Sequence, residues 1–288
     1  MEYLVREIQC KSALHFHNSK WLPYKYDLNV YRGCAHGCIY CYALYSHEYI
    51  AGGSFYNEIY AKANVADVLK KELPRFSGEL VNLGGVTDSY QPAERECRFM
   101  PPVLELLARY NIPVSICTKS TLILRDIELL KRVNDAGGIM CSFTVTTVDK
   151  TAARLLEPNA PAPKERMEAL REMKKHGITC GVHLMPIIPL ITSGEHSIDA
   201  LFCAAKDAGA DYVLAGALNI KNKTFYDSLR QSFPAEYGGV RDIYRDKKAY
   251  KDYRAELADT LDRVRKRYGM PSYVSLPRKN QATQMTFL

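Results

Sequence analysis

The densest group of reactive residues in the sequence is a loop that carries three of the nine cysteines within eight residues. Cys34, Cys38 and Cys41 have the spacing C-x3-C-x2-C and follow a strand-like run that includes Leu28 and Val30. Three thiolates on one short loop can bind three irons of a [4Fe-4S] cluster, because thiolate sulfur is the usual ligand of such clusters. The fourth iron has no ligand in this loop and can bind a second molecule. The loop therefore predicts a catalytic cluster rather than an electron relay.

Zinc binding and chance clustering are the alternative explanations of this loop. Zinc prefers four tetrahedral ligands, usually from paired C-x2-C units, and His36 lies between two of the cysteines, where it could not readily reach the same ion. The odd cysteine count, without a repeated framework, indicates a reducing compartment. The six other cysteines are therefore predicted to be buried thiols, namely Cys10, Cys97, Cys117, Cys141, Cys180 and Cys203.

The cysteine loop resembles the signature of radical S-adenosylmethionine (SAM) enzymes, in which an aromatic residue precedes the last cysteine, as Tyr40 does here. This resemblance implies that the open iron binds the amino and carboxylate groups of SAM. It also implies that the reduced cluster splits SAM into methionine and a 5′-deoxyadenosyl radical, which takes a hydrogen atom from the substrate. We therefore expect Tyr40 to pack near the adenine, and a flavodoxin or ferredoxin to supply the electron.

Strand and helix patterns alternate from residue 26 to about residue 220. The predicted strands are 27–32, 79–83, 113–117, 139–147, 178–185 and 212–218. The predicted helices include 102–110, 124–136, 164–176 and 198–208, and Asn64 is the expected cap of a helix that starts at Val65. Such alternation indicates an α/β fold with a parallel sheet and right-handed crossovers. The resemblance implies that this sheet forms a partial (β/α)6 barrel of the TIM type, with its active site at the carboxyl ends of the strands.

Length and composition indicate one large domain or a barrel with a tail. The chain has 288 residues, of which 47% are hydrophobic and 25% charged, so it can bury a full core. Residues 1–25 are predicted to be an N-terminal extension, residues 26–220 the radical SAM core, and residues 221–288 a basic helical region with a short exposed tail. The charged N-terminus does not fit a signal peptide, and no run approaches eighteen uninterrupted apolar residues. These features predict a cytoplasmic protein without a membrane segment.

The segment after the second predicted strand is a candidate SAM contact. Gly84 and Gly85 let the backbone approach a ligand closely, and Thr87 and Asp88 follow immediately. The resemblance assigns the SAM amino group to this segment. A plain glycine turn would explain the glycines but not the two polar residues.

Further candidates follow the later strands. Lys119 and Arg166 are alternative partners of the SAM carboxylate, since arginine offers a planar fork that matches a carboxylate and lysine a point charge. Ser142 belongs to a face with Met140, Thr144 and Thr146, and a face rich in hydroxyl groups is expected to line the barrel. His183 either contacts substrate or is a hydrogen-bonded core histidine.

Several motifs together resemble the spore photoproduct lyase-like branch of the superfamily, whose members are often labelled DNA repair photolyases. They are Tyr-Arg-Gly-Cys-x3-Cys-x2-Cys-Tyr from Tyr31, Thr-Asp-Ser-Tyr-Gln-Pro-Ala-Glu from Thr87, Thr-Lys-Ser followed by Leu-Arg-Asp, and Glu-Pro with Arg166. In this branch a cysteine after the second strand returns a hydrogen atom, which tyrosines beside the last cluster cysteine relay. Tyr40 and Tyr42 fit the relay, and Tyr42 is the candidate catalytic residue.

The donor cysteine of the lyases aligns with Gly85 in this sequence, and no thiol follows until Cys97. We therefore predict a different hydrogen abstraction or fragmentation on a substrate that the sequence does not identify. A spore photoproduct lyase-type repair enzyme and a metal-bound nucleic-acid module without enzymatic activity are the alternatives.

The net charge of +7 lies mostly near the end of the chain. Residues 241–288 contain twelve Lys or Arg and six Asp or Glu, with the densest patch at Arg263, Arg265, Lys266 and Arg267. This patch predicts either a phosphate-binding face for nucleic acid or an ordinary solvated helix face. The final residues, Gln284–Leu288, are similar to the peptide by which bacterial repair proteins bind the DNA sliding clamp, and they predict a clamp contact.

Overall fold

The computed structural model describes residues 2–20, 22–47, 54–221 and 224–276. In these residues the strands are β1 (Leu4–Ile8), β2 (Leu14–Phe16), β3 (Tyr26–Leu28), β4 (Tyr31–Arg32), β5 (Glu58–Lys62), β6 (Val81–Leu83), β7 (Val114–Thr118), β8 (Ile139–Thr144), β9 (Thr179–Ile187) and β10 (Tyr212–Ala217). The α-helices are α1 (Val65–Glu72), α2 (Glu94–Cys97), α3 (Met100–Arg109), α4 (Ile127–Ala136), α5 (Lys150–Leu156), α6 (Pro163–Lys175), α7 (Glu195–Asp207), α8 (Thr224–Ser232), α9 (Pro234–Arg245) and α10 (Lys247–Tyr268).

The main sheet contains the six parallel strands that the sequence predicts. Its order is β10-β9-β8-β7-β6-β3-β2, and only β2, at the edge, runs antiparallel to its neighbour. The crossovers between successive parallel strands contain helices, as parallel pairing requires. Alternate side chains of the strands pack in the hydrophobic core or face a polar interior. The α/β partial barrel is therefore confirmed.

A second, three-stranded sheet of order β1-β5-β4 lies beside the barrel. The predicted first strand, 27–32, is wrong as a single element, because the chain leaves the main sheet after Leu28 and joins β5 as β4. Asn29 lies at this change of sheet, where its side chain accepts a hydrogen bond from the Val86 amide at 3.1 Å. The two strands before β3 join these sheets, since β1 pairs with β5 and β2 with β3.

Two local predictions need correction because side chains and backbone form other bonds. Asn64 is the N-cap residue of α1 as predicted, but its side chain makes no capping hydrogen bond and instead bonds the backbone of Cys10 at 2.8 and 3.0 Å. Helix α5, which sequence patterns missed, starts at an N-cap where Asp149 accepts from the Ala152 amide at 2.7 Å. The predicted helix at 124–136 begins earlier, as a 3-10 helix over Thr121–Asp126 that continues into α4.

The prediction of six buried thiols holds for only two of them. Cys141 and Cys180 are buried, whereas Cys203 is exposed. The other three are partly exposed, namely Cys10, Cys97 and Cys117. The difference between Cys117 and Cys141 follows from the alternation of side chains along a strand. On β8 the Cys141 side chain faces the helices, whereas on β7 the Cys117 side chain faces the barrel interior.

The C-terminal helices pack on the barrel. Leu257, Leu261 and Val264 of α10 belong to the main hydrophobic core, and α10 contacts α7 and β10. No helix in the described ranges is both long and apolar enough to cross a bilayer. Gln284–Leu288 lie outside the described residues, so the clamp contact stays a prediction.

Candidate active site

A cavity of about 540 Å³ lies at the carboxyl ends of the parallel strands, where partial barrels hold their active sites. The sulfur-bearing residues Cys34, Cys38 and Cys41 all line it. Its walls also contain the candidate catalytic residue Tyr42 and most of the predicted cofactor contacts, namely Tyr40, Gly84, Gly85, Thr87, Asp88, Lys119 and Ser142. Arg166 is the one predicted contact that does not line this cavity.

The cysteine loop is compact because two glycines take left-handed conformations. Gly33 has φ of +81° and Gly37 of +70°, a region that favours glycine. A Cβ atom on Gly33 would stand 2.7 Å from the Glu58 carbonyl oxygen, so the loop also lies too close to β5 for a side chain. The two glycines of Gly-Cys-Ala-His-Gly-Cys therefore permit the turn that brings the cysteines to one side of the loop.

The three thiols fit a cluster better than a single ion. No group of three His, Cys, Asp or Glu residues in the described ranges surrounds one metal position. A cluster does not need that arrangement, because each of its cysteine ligands binds a different iron. Burial raises the pKa of the Cys38 thiol to about 12, and a bound metal would be needed to hold these sulfurs as thiolates.

Polar side chains after β6 hold one face of the loop. The Gly33 carbonyl accepts hydrogen bonds from Thr87 at 2.6 Å and from Gln91 at 3.0 Å. Gln91 also accepts from the Ala35 amide at 2.9 Å. Since a short loop cannot pair its own buried backbone groups, these side chains replace the missing backbone partners.

Asp88 links the loop to the neighbouring strand through four hydrogen bonds. Its carboxylate accepts from Thr118 at 2.7 Å, from the Lys119 amide at 2.8 Å and from the Tyr90 amide at 2.9 Å. It also bonds His36 at 3.0 Å. Burial alone would raise the pKa of Asp88, but His36 and the other donors lower it to about 2. The Asp88 and Thr87 side chains therefore bond protein groups, although both residues border the cavity.

Residues after α5 hold the opposite face of the loop. The Asn159 amide side chain donates to the Ala35 carbonyl at 2.9 Å, and the Tyr40 hydroxyl donates to Glu157. Glu157 is also paired with Arg166 at 2.6 Å, and both side chains are almost fully buried. The sequence marks Glu157 only as part of a motif, because its partners Tyr40 and Arg166 lie on other elements of the fold.

Arg166 lies outside the residues that line this cavity. Besides Glu157, its guanidinium donates to the carbonyls of Thr144 at 2.9 Å and Pro161 at 2.7 Å. These contacts hold a side chain with 1% exposure. Its contact with the SAM carboxylate stays a prediction.

Lys119 lines the cavity, as does one further lysine, Lys221. The Lys119 ammonium lies 5.6 Å from the centroid of the Tyr40 ring, a cation–π distance. No salt bridge involves Lys119 within the described parts of the chain. Of the two predicted carboxylate partners, only Lys119 lines this cavity.

Tyr42 and Gly85 meet at the wall between the cysteine loop and β6. The Tyr42 hydroxyl donates to the Gly85 carbonyl, and the ring is 53% exposed. Behind Gly85 lies Asp27, whose Oδ1 would be 2.4 Å from a Cβ atom at position 85. Asp27 is fixed by the Asn82 side-chain amide at 2.8 Å. The space for a side chain at position 85 is therefore already filled.

The far wall contains polar contacts that sequence reasoning did not assign. Cys117 Sγ lies 3.3 Å from Thr144 Oγ1 and 3.3 Å from His183 Nδ1. Ser142 is bonded at 2.6 Å to the hydroxyl of Tyr212, whose ring covers Gly181. The period-two pattern of β8 placed Ser142 and Thr144 correctly, but it could not show their partners on other strands.

The family model of the radical SAM superfamily matches residues 28–201, which include the cysteine loop and five of the six parallel strands in whole or part. The chain therefore belongs to the radical SAM superfamily. That superfamily implies SAM and an iron–sulfur cluster as cofactors.

Relatives and solved structures agree with this assignment. An uncharacterized protein of Mycobacterium tuberculosis is 35% identical over 249 residues, 83% of this chain and 73% of the relative. One of Methanocaldococcus jannaschii is 26% identical over 262 residues, 91% and 95% of the two chains.

Spore photoproduct lyase complexed with dinucleoside spore photoproduct has a TM-score of 0.69 at 15% identity, over 94% of this chain and 82% of that chain. A lyase variant with bound AdoMet and dinucleoside spore photoproduct gives 0.68 at 16% identity, with the same coverage. At such identities the likeness establishes a shared fold.

The clash at position 85 can be measured by a double-mutant cycle. We expect Gly85→Ala to lower the free energy of unfolding by about 1–3 kcal/mol, because its methyl group would overlap Asp27. In an Asp27→Ala background the same change should cost at least about 1 kcal/mol less, since the carboxylate is gone. Urea unfolding of the four proteins gives both values. An equal cost in both backgrounds would contradict the packing described here.

The Glu157–Arg166 pair gives a second stability test. Glu157→Gln leaves the buried guanidinium without its counter-charge, so the free energy of unfolding should fall by about 3–5 kcal/mol. Glu168→Gln, which alters a surface carboxylate 3.9 Å from Lys164, is the matched control and should change it by less than about 1 kcal/mol. Similar values for both variants in urea unfolding would refute the structural role of the buried pair.

Proposed function

We propose that the protein is a radical SAM enzyme in which Cys34, Cys38 and Cys41 hold a [4Fe-4S] cluster. The observation that carries this proposal is that all three thiols, on one clamped loop, open into a single cavity at the carboxyl ends of the strands. When bound, the cluster and SAM supply a 5′-deoxyadenosyl radical for hydrogen abstraction. The remaining chemistry belongs to the protein, which positions the ligands and excludes water.

Several residues of the cavity have roles that follow from their positions. Lys119 provides the positive charge for the SAM carboxylate. Tyr40 provides an aromatic ring beside the Lys119 ammonium. Gly84 and Gly85 present backbone to the ligand, and Ser142 contributes a hydroxyl group to the far wall. A flavodoxin- or ferredoxin-type protein supplies the electron.

The substrate differs from that of spore photoproduct lyase. The lyase resemblance places a donor cysteine at position 85, where Asp27 leaves no room for a side chain. The shared fold supports the same general architecture but not the same hydrogen donor. We therefore infer a hydrogen abstraction or fragmentation on another substrate that fits the cavity of about 540 Å³.

The basic patch at the C-terminus does not favour nucleic acid in particular. Arg263 is paired with Glu195 at 2.7 Å, and Arg267 is paired with Glu195 and Asp199. Arg265 donates to the Val213 carbonyl at 3.1 Å. Because the three arginines of the patch bond to the protein itself, phosphate binding there stays a prediction without structural support.

Anaerobic reconstitution tests the proposed function. The parent protein should bind roughly four irons per chain, become brown, and release 5′-deoxyadenosine from SAM when dithionite is added. The triple variant Cys34→Ala, Cys38→Ala and Cys41→Ala should lose both the iron and the nucleoside. Cys203→Ala, which removes an exposed thiol, is the control and should keep both. Iron binding by the triple variant at the parent's level would refute the assignment.

The role of Lys119 can be measured as SAM affinity. Lys119→Met removes a charge-assisted contact worth about 1.5–3 kcal/mol, so the Kd for SAM should rise about tenfold or more in the cluster-loaded protein. Calorimetric titration with SAM gives the value, and Lys150→Met, outside this cavity, is the matched control. Unchanged affinity in Lys119→Met would remove this residue from the SAM site.

A further inference from the structure

The cavity contains one thiol that is not part of the cysteine loop. Among the described residues that line it, the cysteines are the three of the loop and Cys117 on β7. Ser115 and Lys119, two residues away on either side, also line the cavity. Alternation along β7 therefore fixes the Cys117 side chain on the interior face, with the substrate space in front of it.

Two side chains from neighbouring strands contact this thiol. Thr144 Oγ1 and His183 Nδ1 each lie 3.3 Å from Cys117 Sγ, and both residues line the cavity. Cys141 and Cys180, by contrast, lie in the hydrophobic core, both fully buried. The Cys117 site is thus a thiol with an imidazole beside it and an open cavity before it.

Burial alone would raise the pKa of the Cys117 thiol, but the charge of His183 and the hydrogen bonds from His183 and Thr144 lower it below its usual range. Because His183 Nδ1 lies within hydrogen-bond distance of Cys117 Sγ, a proton can pass between sulfur and imidazole. The pair can both give up a proton and take one back. Neither function can be assigned to Cys141 or Cys180, whose pKa values burial raises.

We propose that Cys117 is the hydrogen-atom donor of the cavity, with His183 and Thr144 as its positioning residues. The inference rests on the proposed function, which creates a carbon radical in this space. The S–H bond is weaker than the C–H bonds and aliphatic O–H bonds around it, so a carbon radical that reaches Cys117 takes its hydrogen.

The step balances in atoms and electrons. The S–H bond of Cys117 breaks, a C–H bond forms, and a thiyl radical remains on sulfur. If the pair is in its thiolate–imidazolium form, the electron comes from sulfur and the proton from His183 Nδ1. One electron from the flavodoxin- or ferredoxin-type reductant, or from dithionite in vitro, and one proton through His183 restore the thiol.

The inference also accounts for the absence of a thiol at position 85. Asp27 fills the space behind Gly85, whereas the adjacent strand, β7, brings a thiol to the same cavity. The hydrogen atom would then be donated from β7, the next strand of the sheet.

Deuterium incorporation tests the donor directly. The cluster-loaded protein is exchanged into D2O and given SAM and dithionite without substrate, so that the radical takes an atom from the protein. The parent should release 5′-deoxyadenosine with one added deuterium, because the thiol proton exchanges with solvent. In Cys117→Ala the deuterated fraction should fall at least fivefold, whereas Cys141→Ala, the control for a core thiol, should match the parent.

Thiol labelling gives a readout that needs no turnover. Iodoacetamide should modify Cys117 of the cluster-loaded protein more rapidly than Cys141 or Cys180, as measured by peptide mass spectrometry. Its pH midpoint should rise by roughly one unit or more in His183→Gln, since the imidazole no longer stabilises the thiolate. A merely structural histidine would leave this midpoint unchanged.

The outcomes separate the two proposals. If the parent forms no 5′-deoxyadenosine, the proposed function fails and this inference fails with it. If the nucleoside forms but its deuterium content is the same in Cys117→Ala and the parent, the inference alone is overturned. A Cys117 thiol that iodoacetamide cannot reach, or a midpoint unaffected by His183→Gln, would also overturn it.

Discussion

The structure depends on holding a short cysteine loop whose backbone cannot satisfy its own hydrogen bonds. The carbonyls of Gly33 and Ala35 accept from Thr87, Gln91 and Asn159, which come from two distant segments of the chain. A buried backbone group without a partner costs free energy comparable to a lost hydrogen bond. Because these side chains enclose the loop on opposite faces, the three sulfurs are fixed toward one cavity. The segment around Thr87 therefore supports the cysteine loop directly, through Thr87 and Gln91.

Buried charge around the loop follows the same constraint. Glu157 and Arg166 neutralise each other in a site where either alone would be strongly unfavourable. Asp88 keeps its charge because His36 and backbone amides surround it. The lysines that line the cavity are then Lys119 and Lys221. Of these, Lys119 lies beside the Tyr40 ring, next to the cysteine loop.

The far wall of the barrel carries the reactive side chains that a substrate in the cavity would contact. Strands β7, β8 and β9 bring Cys117, Thr144 and His183 together, with Thr144 and His183 each within hydrogen-bond distance of the thiol. Neighbouring parallel strands bring such residues together although they are 27 and 66 positions apart from Cys117. The wall near β6 instead has Gly85 backed by Asp27, so reactive side chains come from the middle of the sheet.

The sequence by itself determined the cysteine spacing on which the cluster proposal rests, the parallel strands of the main sheet and the interior face of β8. These are local matters, since spacing on a short loop and alternation along a strand depend on nearby residues. It also determined which polar segments border the site. Only the tertiary structure decided what each polar side chain bonds, because those partners lie on different elements of the fold. Thus Arg166 of α6 pairs with Glu157 after α5, Asp27 lies behind Gly85, and Cys117, which the sequence predicted to be a buried thiol, lies beside His183 in the cavity.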